Sequence, residues 1–353
     1  MNNEKPYDWI FLYWMPYDNN LSIFGNTILR MLARGIQSNN ILVVVQADFS
    51  GAKQLSRHIF TQDNIDIHKL DTADSASEKV FAEYLNWAKS EFKGKKWAIV
   101  FLGHGGNLDE VSPDENPEHS LNLKTKWMNI HKLSLVIEKF NQEIDNRLEL
   151  LFFQNCCKGT IEAHYTVRNT AKYTLSSQLQ LGAPNYYYES TLEFLAWHPE
   201  VNGGQLATKI IECERSDMYH SYTVTGNRAF SLLPAKINFL IDAILASNIE
   251  NININQVNIY YYMQDRMVDI LDFLATIAQQ SGVAKDKIND FTNFFKHTII
   301  YHFQNDGTLL LTDKKYQQFS GLGMLLPNDR QHLEKYSYLS VFSDLKLSGL
   351  FQA

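Results

Sequence analysis

Thiols and imidazoles are the side chains of this chain best suited to making and breaking acyl bonds, and one of each occupies a telling position. The sequence has three cysteines, Cys156, Cys157 and Cys213, and eleven histidines. His104 comes directly after the apolar run 97–102, in Gly103-His104-Gly105-Gly106. Cys156 comes directly after the apolar run 148–153, in Gln154-Asn155-Cys156-Cys157. A thiolate is a strong nucleophile near neutral pH, and an imidazole can carry the proton that a leaving amine needs. Gly105 has no side chain, so its N–H can approach a carbonyl oxygen closely and, with the N–H of Cys156, form an oxyanion hole. Taken singly, a cysteine is most often a small buried hydrophobe and a histidine a hydrogen-bonded structural residue. The placement of the pair at the ends of two successive runs is what points to catalysis. Cys157 is the rival nucleophile.

For such a pair to meet, the two runs must be neighbouring parallel strands, because open α/β sheets bind ligands at the carboxyl edge. The first half of the chain supports this. The runs Trp9-Ile10-Phe11-Leu12-Tyr13-Trp14, Ile41-Leu42-Val43-Val44-Val45, 97–102 and 148–153 are continuous and apolar, as in strands buried on both faces. Helical spacing is predicted over 21–36, 80–92, 128–140 and 160–168, with a small edge hairpin over 58–70. Alternation of strands and helices predicts a parallel sheet covered on both faces. The 52 positions between His104 and Cys156 accommodate one crossover helix and a loop. Residues 107–126 are polar, acidic and without periodicity, and are expected to form an exposed loop. Later, 181–188 reads as a Tyr-rich loop, and 234–248, 262–280 and 288–303 read as helices. The expected organisation is a core over 1–235 and a mainly helical part over 236–353 packed against it as one compact unit.

Composition narrows the function. Of 353 residues, 45% are hydrophobic and 13% aromatic, enough for a substantial core. The net charge of −7 argues against a general nucleic-acid binder. No apolar run reaches the ~18 residues of a membrane-spanning helix, so no membrane partner is expected. The opening Met1-Asn2-Asn3-Glu4-Lys5-Pro6 lacks the features of a secretory signal, which makes cytoplasmic location the expectation. An odd cysteine count without framework spacing argues against a disulfide scaffold. There is no phosphate-binding glycine loop and no His-Glu-x-x-His pair, and the histidines are scattered, so no metal site is expected from them. Ser176-Ser177 lacks the Gly-x-Ser-x-Gly elbow of serine hydrolases.

The order strand–His-Gly, then strand–x-x-Cys, resembles the clan of cysteine peptidases that contains caspases, legumain, gingipains and clostripain. The nearest resemblance is to the clostripain family (peptidase family C11). Tyr13-Trp14-Met15-Pro16-Tyr17-Asp18-Asn19-Asn20-Leu21 is similar to that family's first strand and Asp-Asn-x-Leu turn. Val43-Val44-Val45-Gln46-Ala47-Asp48 resembles its second strand, and 97–106 its His-Gly-Gly run. Cys156-Cys157-Lys158-Gly159-Thr160-Ile161-Glu162 resembles Cys-x-Met-Gly-x-x-Glu, with Lys158 in place of Met. Val268-Asp269-Ile270-Leu271-Asp272-Phe273 and Gly321-Leu322-Gly323-Met324-Leu325-Leu326-Pro327 are similar to its C-terminal segments. The resemblance implies a caspase-like α/β/α sandwich with a mostly parallel sheet and peptide-bond hydrolysis through an acyl-enzyme. Cys156 is then the nucleophile, since Gly159 and Glu162 fall at the family's offsets of three and six. His104 protonates the leaving amine, and the N–H groups of Gly105 and Cys156 hold the oxyanion.

The sequence departs from that family where it binds the substrate side chain preceding the cut. The family's acidic position two residues before the nucleophile is Gln154 here, and the second acid, in the loop after the following strand, aligns with Pro184 beside Asn185 and Tyr186. An unpaired guanidinium buried there would cost several kcal/mol, so poor cleavage after Arg or Lys is expected. Glu189 is the nearest acid that could restore it. The resemblance also suggests self-processing within 107–126, with Lys124 and Lys126 as sites, against the plainer reading of a solvated surface loop. No cofactor is expected, except that some relatives use calcium, which Asp109, Glu110, Asp114, Glu115 and Glu118 could collect; their spacing is not that of an EF-hand. Tyr186, Tyr187 and Tyr188 either line the substrate groove or pack beneath the loop. The alternative function is a degenerate homologue that binds a peptide or protein without cleaving it.

Overall fold

The computed structural model describes residues 5–116, 125–247, 253, 256–308 and 319–351. Its centre is a nine-stranded sheet. Five strands are mutually parallel: β1 (Tyr7–Tyr17), β2 (Ile41–Phe49), β5 (Gly94–Phe101), β8 (Leu148–Phe153) and β9 (Tyr173–Ser176), in the order β9-β8-β5-β1-β2. The antiparallel hairpin β3 (Ser56–Phe60) and β4 (Ile65–Lys69) extends one edge. The other edge is extended by β10 (Tyr222–Gly226) and β13 (Ile300–Gln304), both in antiparallel pairings.

The continuous apolar runs follow from two-sided burial. In β1, Trp9, Phe11 and Tyr13 enter one core while Ile10, Leu12 and Trp14 enter the other, as the period-2 alternation of a strand requires. The first core is closed by helices α1 (Ser22–Gly35), α5 (Tyr188–Trp197) and α6 (Gly203–Cys213). The second is closed by α2 (Glu78–Glu91) and α3 (Ile130–Glu143), with Ala163 of α4 (Ile161–Thr166). The result is the expected α/β/α sandwich. Caps fix where the helices begin: the Ser77 side chain accepts the Val80 N–H, Asn129 accepts those of His131 and Lys132, and Asn202 with Gln205 forms a capping box.

Several expectations change beyond the first three parallel strands. Residues 107–126 are not simply an exposed loop. β6 (Glu110–Asp114) pairs with β7 (Lys126–Asn129), and Val111 to Asp114 are buried. The sequence hides this hairpin because Ser112, Pro113 and Asp114 are polar or turn-prone residues that nonetheless face the interior. The predicted helix over 262–280 begins as strand β12 (Asp265–Asp269), and only Ile270–Gln280 (α8) is helical. The side chain of Asp269 caps this helix. The predicted helix over 288–303 divides into α9 (Lys285–Phe294), one π-helical stretch and strand β13. β11 (Ile259–Tyr262), β12 and β14 (Gly323–Leu325) form a small antiparallel sheet. The C-terminal part therefore contributes a strand to the main sheet as well as the helices α7 (Leu233–Leu245), α8 and α9. It shares one hydrophobic core with Ile161, Tyr165 and Leu179 of the first half. Among the described residues, no helix is long and apolar enough to cross a membrane.

Candidate active site

β5 and β8 are hydrogen-bonded parallel neighbours, with Phe101 opposite Phe153. His104 and Cys156 each lie three residues beyond that pair, so matched register carries both to the same sheet edge, on strands about 5 Å apart. Asn155 ties the two loops together: its Nδ2 donates to the carbonyls of Gly103 (2.9 Å) and His104 (3.1 Å).

Gly105 packs directly on the backbone of Cys156, where a Cβ would lie 2.2 Å from the Cys156 carbonyl oxygen. It faces Val111 in an isolated antiparallel bridge whose hydrogen bonds run between the flanking residues, Gly106 N–H to Glu110 and Ser112 N–H to His104. The N–H of Gly105 consequently points away from that bridge. Among the described residues, neither it nor the N–H of Cys156 donates to another backbone carbonyl. Both can turn to an oxyanion.

The two adjacent thiols differ. Cys156 is partly exposed, and its Sγ accepts the Leu181 N–H at 3.4 Å. Burial raises its pKa, opposed by Leu181, by the Tyr262 hydroxyl and by the nearby Lys158 ammonium. Cys157 is buried in a left-handed conformation (φ 56°), with its thiol pushed well up by burial. Cys156 is therefore the more accessible of the two thiols. Gly159, three residues on, has no room for a side chain, since a Cβ would lie 2.5 Å from the Gln178 nitrogen.

His104 is half-buried, and desolvation lowers its pKa, with Glu115 opposing. Its Nε2 lies 2.7 Å from Asn20 Oδ1. With the amide oxygen as acceptor, Nε2 carries the proton and Nδ1 is left basic. Asn20 stands in the first turn of the family resemblance, yet nothing in its type or spacing marks it as a histidine partner. Tyr262 carries no signal either, because the spacing from 262 onward reads as helical. Its hydroxyl donates to the Gly105 carbonyl at 2.6 Å and hydrogen-bonds the Cys156 side chain. Lys158, in place of the family's Met, is buried with its Nζ donating to the carbonyls of Gly106 (3.1 Å) and Asn107 (2.5 Å). Burial lowers its pKa to about 8 despite the pull of Cys157, Asp109, Asp265 and Glu110.

The predicted substrate-binding residues come together, but not as free pocket groups. Gln154 is only 6% exposed. Its amide donates to Asn185 Oδ1 (2.5 Å) and the Tyr188 hydroxyl (2.8 Å), and accepts from the Tyr187 hydroxyl (2.7 Å). Tyr187 and Tyr188 therefore pack beneath the loop and do not line the groove. Pro184 and Tyr186 stay partly exposed, while Asn185 is buried. The Arg215 guanidinium lies 4.4 Å from the Tyr186 ring centroid and pairs with Asp217. Glu189 is committed to Arg34 at 2.7 Å. The acid that does lie behind this loop is Glu214. It accepts the N–H groups of Tyr186 and Arg215, both at 2.9 Å, and burial raises its pKa to about 7.

The acids of 107–126 do not gather around one point. Asp109 accepts from Asn129 and Tyr338, Glu110 accepts from Asn107, and Glu118 lies outside the described residues, as does Lys124. Lys126 opens β7 and pairs with Asp74. Among the described acids of this stretch, only Asp114 joins a cluster, with Asp18 and Asp48 from other elements.

A parallel sheet that presents a thiol, an imidazole and two available N–H groups at its carboxyl edge defines a cysteine peptidase with a caspase-like fold. The sequence profile of the clostripain family, peptidase family C11, matches residues 13–347, and the chain belongs to that family. No curated protein matches the chain. Among solved structures, it is similar to an inactive zymogen C11 protease from Parabacteroides distasonis, with 17% identity over 97% of this chain and 99% of that one and a TM-score of 0.74. It is also similar to a secreted C11 cysteine protease from Bacteroides thetaiotaomicron in complex with an irreversible peptide inhibitor, with 18% identity over 96% and 99% and a TM-score of 0.73. A further structure of a secreted C11 cysteine protease from that organism, iotapain, has 13% identity over 97% and 100% and a TM-score of 0.71.

Proposed function

We propose that this chain is an endopeptidase that uses Cys156 as nucleophile and His104 as its proton carrier. The observation that supports this reading is the shared register of β5 and β8, which carries both residues to one sheet edge, with Gly105 packed on the Cys156 backbone. His104 takes the thiol proton and the Cys156 sulfur adds to the scissile carbonyl, whose oxygen takes up the charge opposite the Gly105 and Cys156 N–H groups. The C–N bond then breaks as the imidazolium proton passes to the leaving amine, which leaves a thioester. A water deprotonated by His104 hydrolyses it and restores the thiol.

The side chain preceding the cut is neutral in this reading. Gln154 replaces one family acid and Pro184 the other, Glu189 is held by Arg34, and Glu214 is buried behind the loop with its Oε1 taken by two backbone N–H groups. The Arg215 guanidinium over Tyr186 adds positive charge near the rim. Among the described residues, the two acids of the family's pocket are absent and the one unpartnered carboxylate oxygen behind the loop, Glu214 Oε2, is enclosed, so a basic substrate side chain would be costly to bury. Reporter peptides ending in Ala, Asn or Gln should be cleaved with kcat/KM at least tenfold above those ending in Arg or Lys; equal values contradict this specificity. One observation favours the non-cleaving alternative: the Tyr262 hydroxyl already occupies hydrogen-bonding space between Gly105 and the thiol. Labelling by a thiol-reactive peptide probe separates the readings, since a competent enzyme labels Cys156 far faster than Cys213.

A further inference from the structure

The imidazole is not in contact with the thiol. Among the described residues, Cys156 Sγ meets the N–H and carbonyl of Leu181, at 3.4 and 3.8 Å, and no hydrogen bond joins it to His104, whose Nε2 is turned to Asn20. The positive charge that reaches the thiol comes from Lys158, two residues on, where the family has Met. Lys158 is 1% exposed. Its Nζ donates to two neutral acceptors, the carbonyls of Gly106 and Asn107, and among the described residues it makes no ion pair. The acids whose charge it feels lie beyond ion-pair distance and are hydrogen-bonded elsewhere: Asp109 to Asn129, Asp265 to Leu108 and Tyr336, Glu110 to Asn107. A buried ammonium with no carboxylate against it is costly, and a Met would fill the space without that cost.

We infer that Lys158 is a positioning residue of the active site, a fixed internal cation whose charge stabilises the Cys156 thiolate from behind the Gly105 loop. The inference deepens the peptidase reading and rests on it for the use made of Cys156. Packing at Gly105 carries it. A Cβ added there would lie 3.1 Å from Lys158 Cε and 3.2 Å from the Cys156 carbonyl carbon, so the lysine stem and the Cys156 backbone meet on one glycine. The ammonium then sits on the carbonyls of the next two residues of that loop. Lys158 touches no reacting atom; it acts by its field, which is weakly screened where water is excluded. Facing Cys156 or Lys158 are Cys157 from the same loop, Asp109 and Glu110 from the chain after His104, Tyr262 and Asp265 from the β11–β12 hairpin, and Tyr222 from β10. None of these is a cation, which leaves the imidazole and Lys158 to balance the thiolate.

The test is alkylation of Cys156 in the full chain by iodoacetamide and by iodoacetate, from about pH 5 to about pH 10, located by mass spectrometry. Urea unfolding establishes that each variant is folded. In Lys158→Met the midpoint of the iodoacetamide profile should move up by about one pH unit, which slows the reaction at pH 7 about tenfold. The preference for the anionic reagent should fall at least about threefold. Lys158→Arg keeps the charge and should hold both near their wild-type values. A role in packing alone would change stability and leave the midpoint in place, so an unmoved midpoint in folded Lys158→Met would overturn the inference. The wild-type chain gives a second measure that needs no variant. Its ratio of iodoacetate to iodoacetamide rates near neutral pH should exceed that of N-acetylcysteine amide, a neutral thiol, and decline above about pH 8 as the ammonium loses its proton. A ratio that stays level to about pH 10 would equally overturn it. Alkylation needs no substrate, so a shifted midpoint in a chain that cuts no peptide would sustain this inference and remove the peptidase reading.

Discussion

Asn20 governs the imidazole from one side only. Its Oδ1 holds Nε2 of His104 at 2.7 Å, which fixes the ring and leaves Nδ1 as the basic nitrogen, a positioning role like that of the third member of a hydrolase triad. Asn20→Ala should lower kcat about tenfold while KM changes less than about twofold. Asn20→Asp should keep the orientation and move the acid limb of the pH profile upward, because a carboxylate favours the imidazolium. Unchanged kcat in Asn20→Ala would show that the ring is positioned without it. That His104 and Cys156 share one sheet edge is legible from residue type and place, whereas the preference for Cys156 over Cys157 rests on the family's offsets to Gly159 and Glu162. Asn20 and Tyr262 are not, because a residue that acts through one hydrogen bond has no signature until folding brings it to its partner. Glu214 escapes for the same reason: it is 58 positions from Cys156 and reaches the pocket loop only through the turn after α6.

The strands are readable wherever both faces are buried, since a short unbroken apolar run suits a strand covered from both sides. They are unreadable in β6, β12 and β13, where short strands carry Pro113, Asp114, Asp265, Arg266 and His302 and give no clear period. Those obscured elements matter to the site. The β11–β12 hairpin delivers Tyr262, whose hydroxyl favours the thiolate of Cys156. Tyr262→Phe keeps the ring and removes the hydroxyl, whose one proton can turn from the Gly105 carbonyl to a thiolate, so alkylation of Cys156 near neutral pH should slow about threefold; faster alkylation would show that the hydroxyl shields the thiol instead. The loop after His104 depends on Lys158 from the neighbouring loop, with two carbonyls on one buried ammonium. Lys158→Met, which restores the family residue, should destabilise the chain by about 2 kcal/mol in urea unfolding, because Gly106 and Asn107 lose their buried donor. A neutral or stabilising effect would mean that the cost of desolvating the ammonium dominates.

Across the whole molecule, the division at 235 describes the sequence better than the packing. The part beyond it adds β13 to the main sheet, shares a core with α4, and seats Asp265 beneath the His104 loop, where it accepts the Leu108 N–H at 2.5 Å. The helical periods of that part are visible in the sequence, but its strands are not: β13 and β14 pair with strands distant in the chain, and the local β11–β12 hairpin is too short to show a period. Its contact with Glu162 has a global consequence. Glu162 is buried, accepts the Leu325 N–H at 2.8 Å, and burial lifts its pKa from 4.5 to about 7; Glu214 is lifted over the same interval. The folded chain therefore holds these protons more tightly than the unfolded chain. Their contribution to stability is greatest below the unfolded value and falls as pH rises through about 4.5 to 7, opposed below about 6.5 by His164, whose pKa burial lowers to about 3. Above about pH 6.5, where the histidines no longer oppose it, Tm should decline towards about pH 8, and Glu162→Gln, which keeps an oxygen for Leu325, should flatten that decline. A steeper decline in the variant would contradict the assignment.

The most direct test of the Cys156 chemistry is cleavage of a mixed peptide library by the wild-type chain and by Cys156→Ala, read by mass spectrometry. Wild type should cut after neutral residues and seldom after Arg or Lys, and Cys156→Ala should lose at least about a thousandfold in rate with the fold retained. Cleavage that survives in Cys156→Ala, or wild-type cuts concentrated after Arg and Lys, would contradict it.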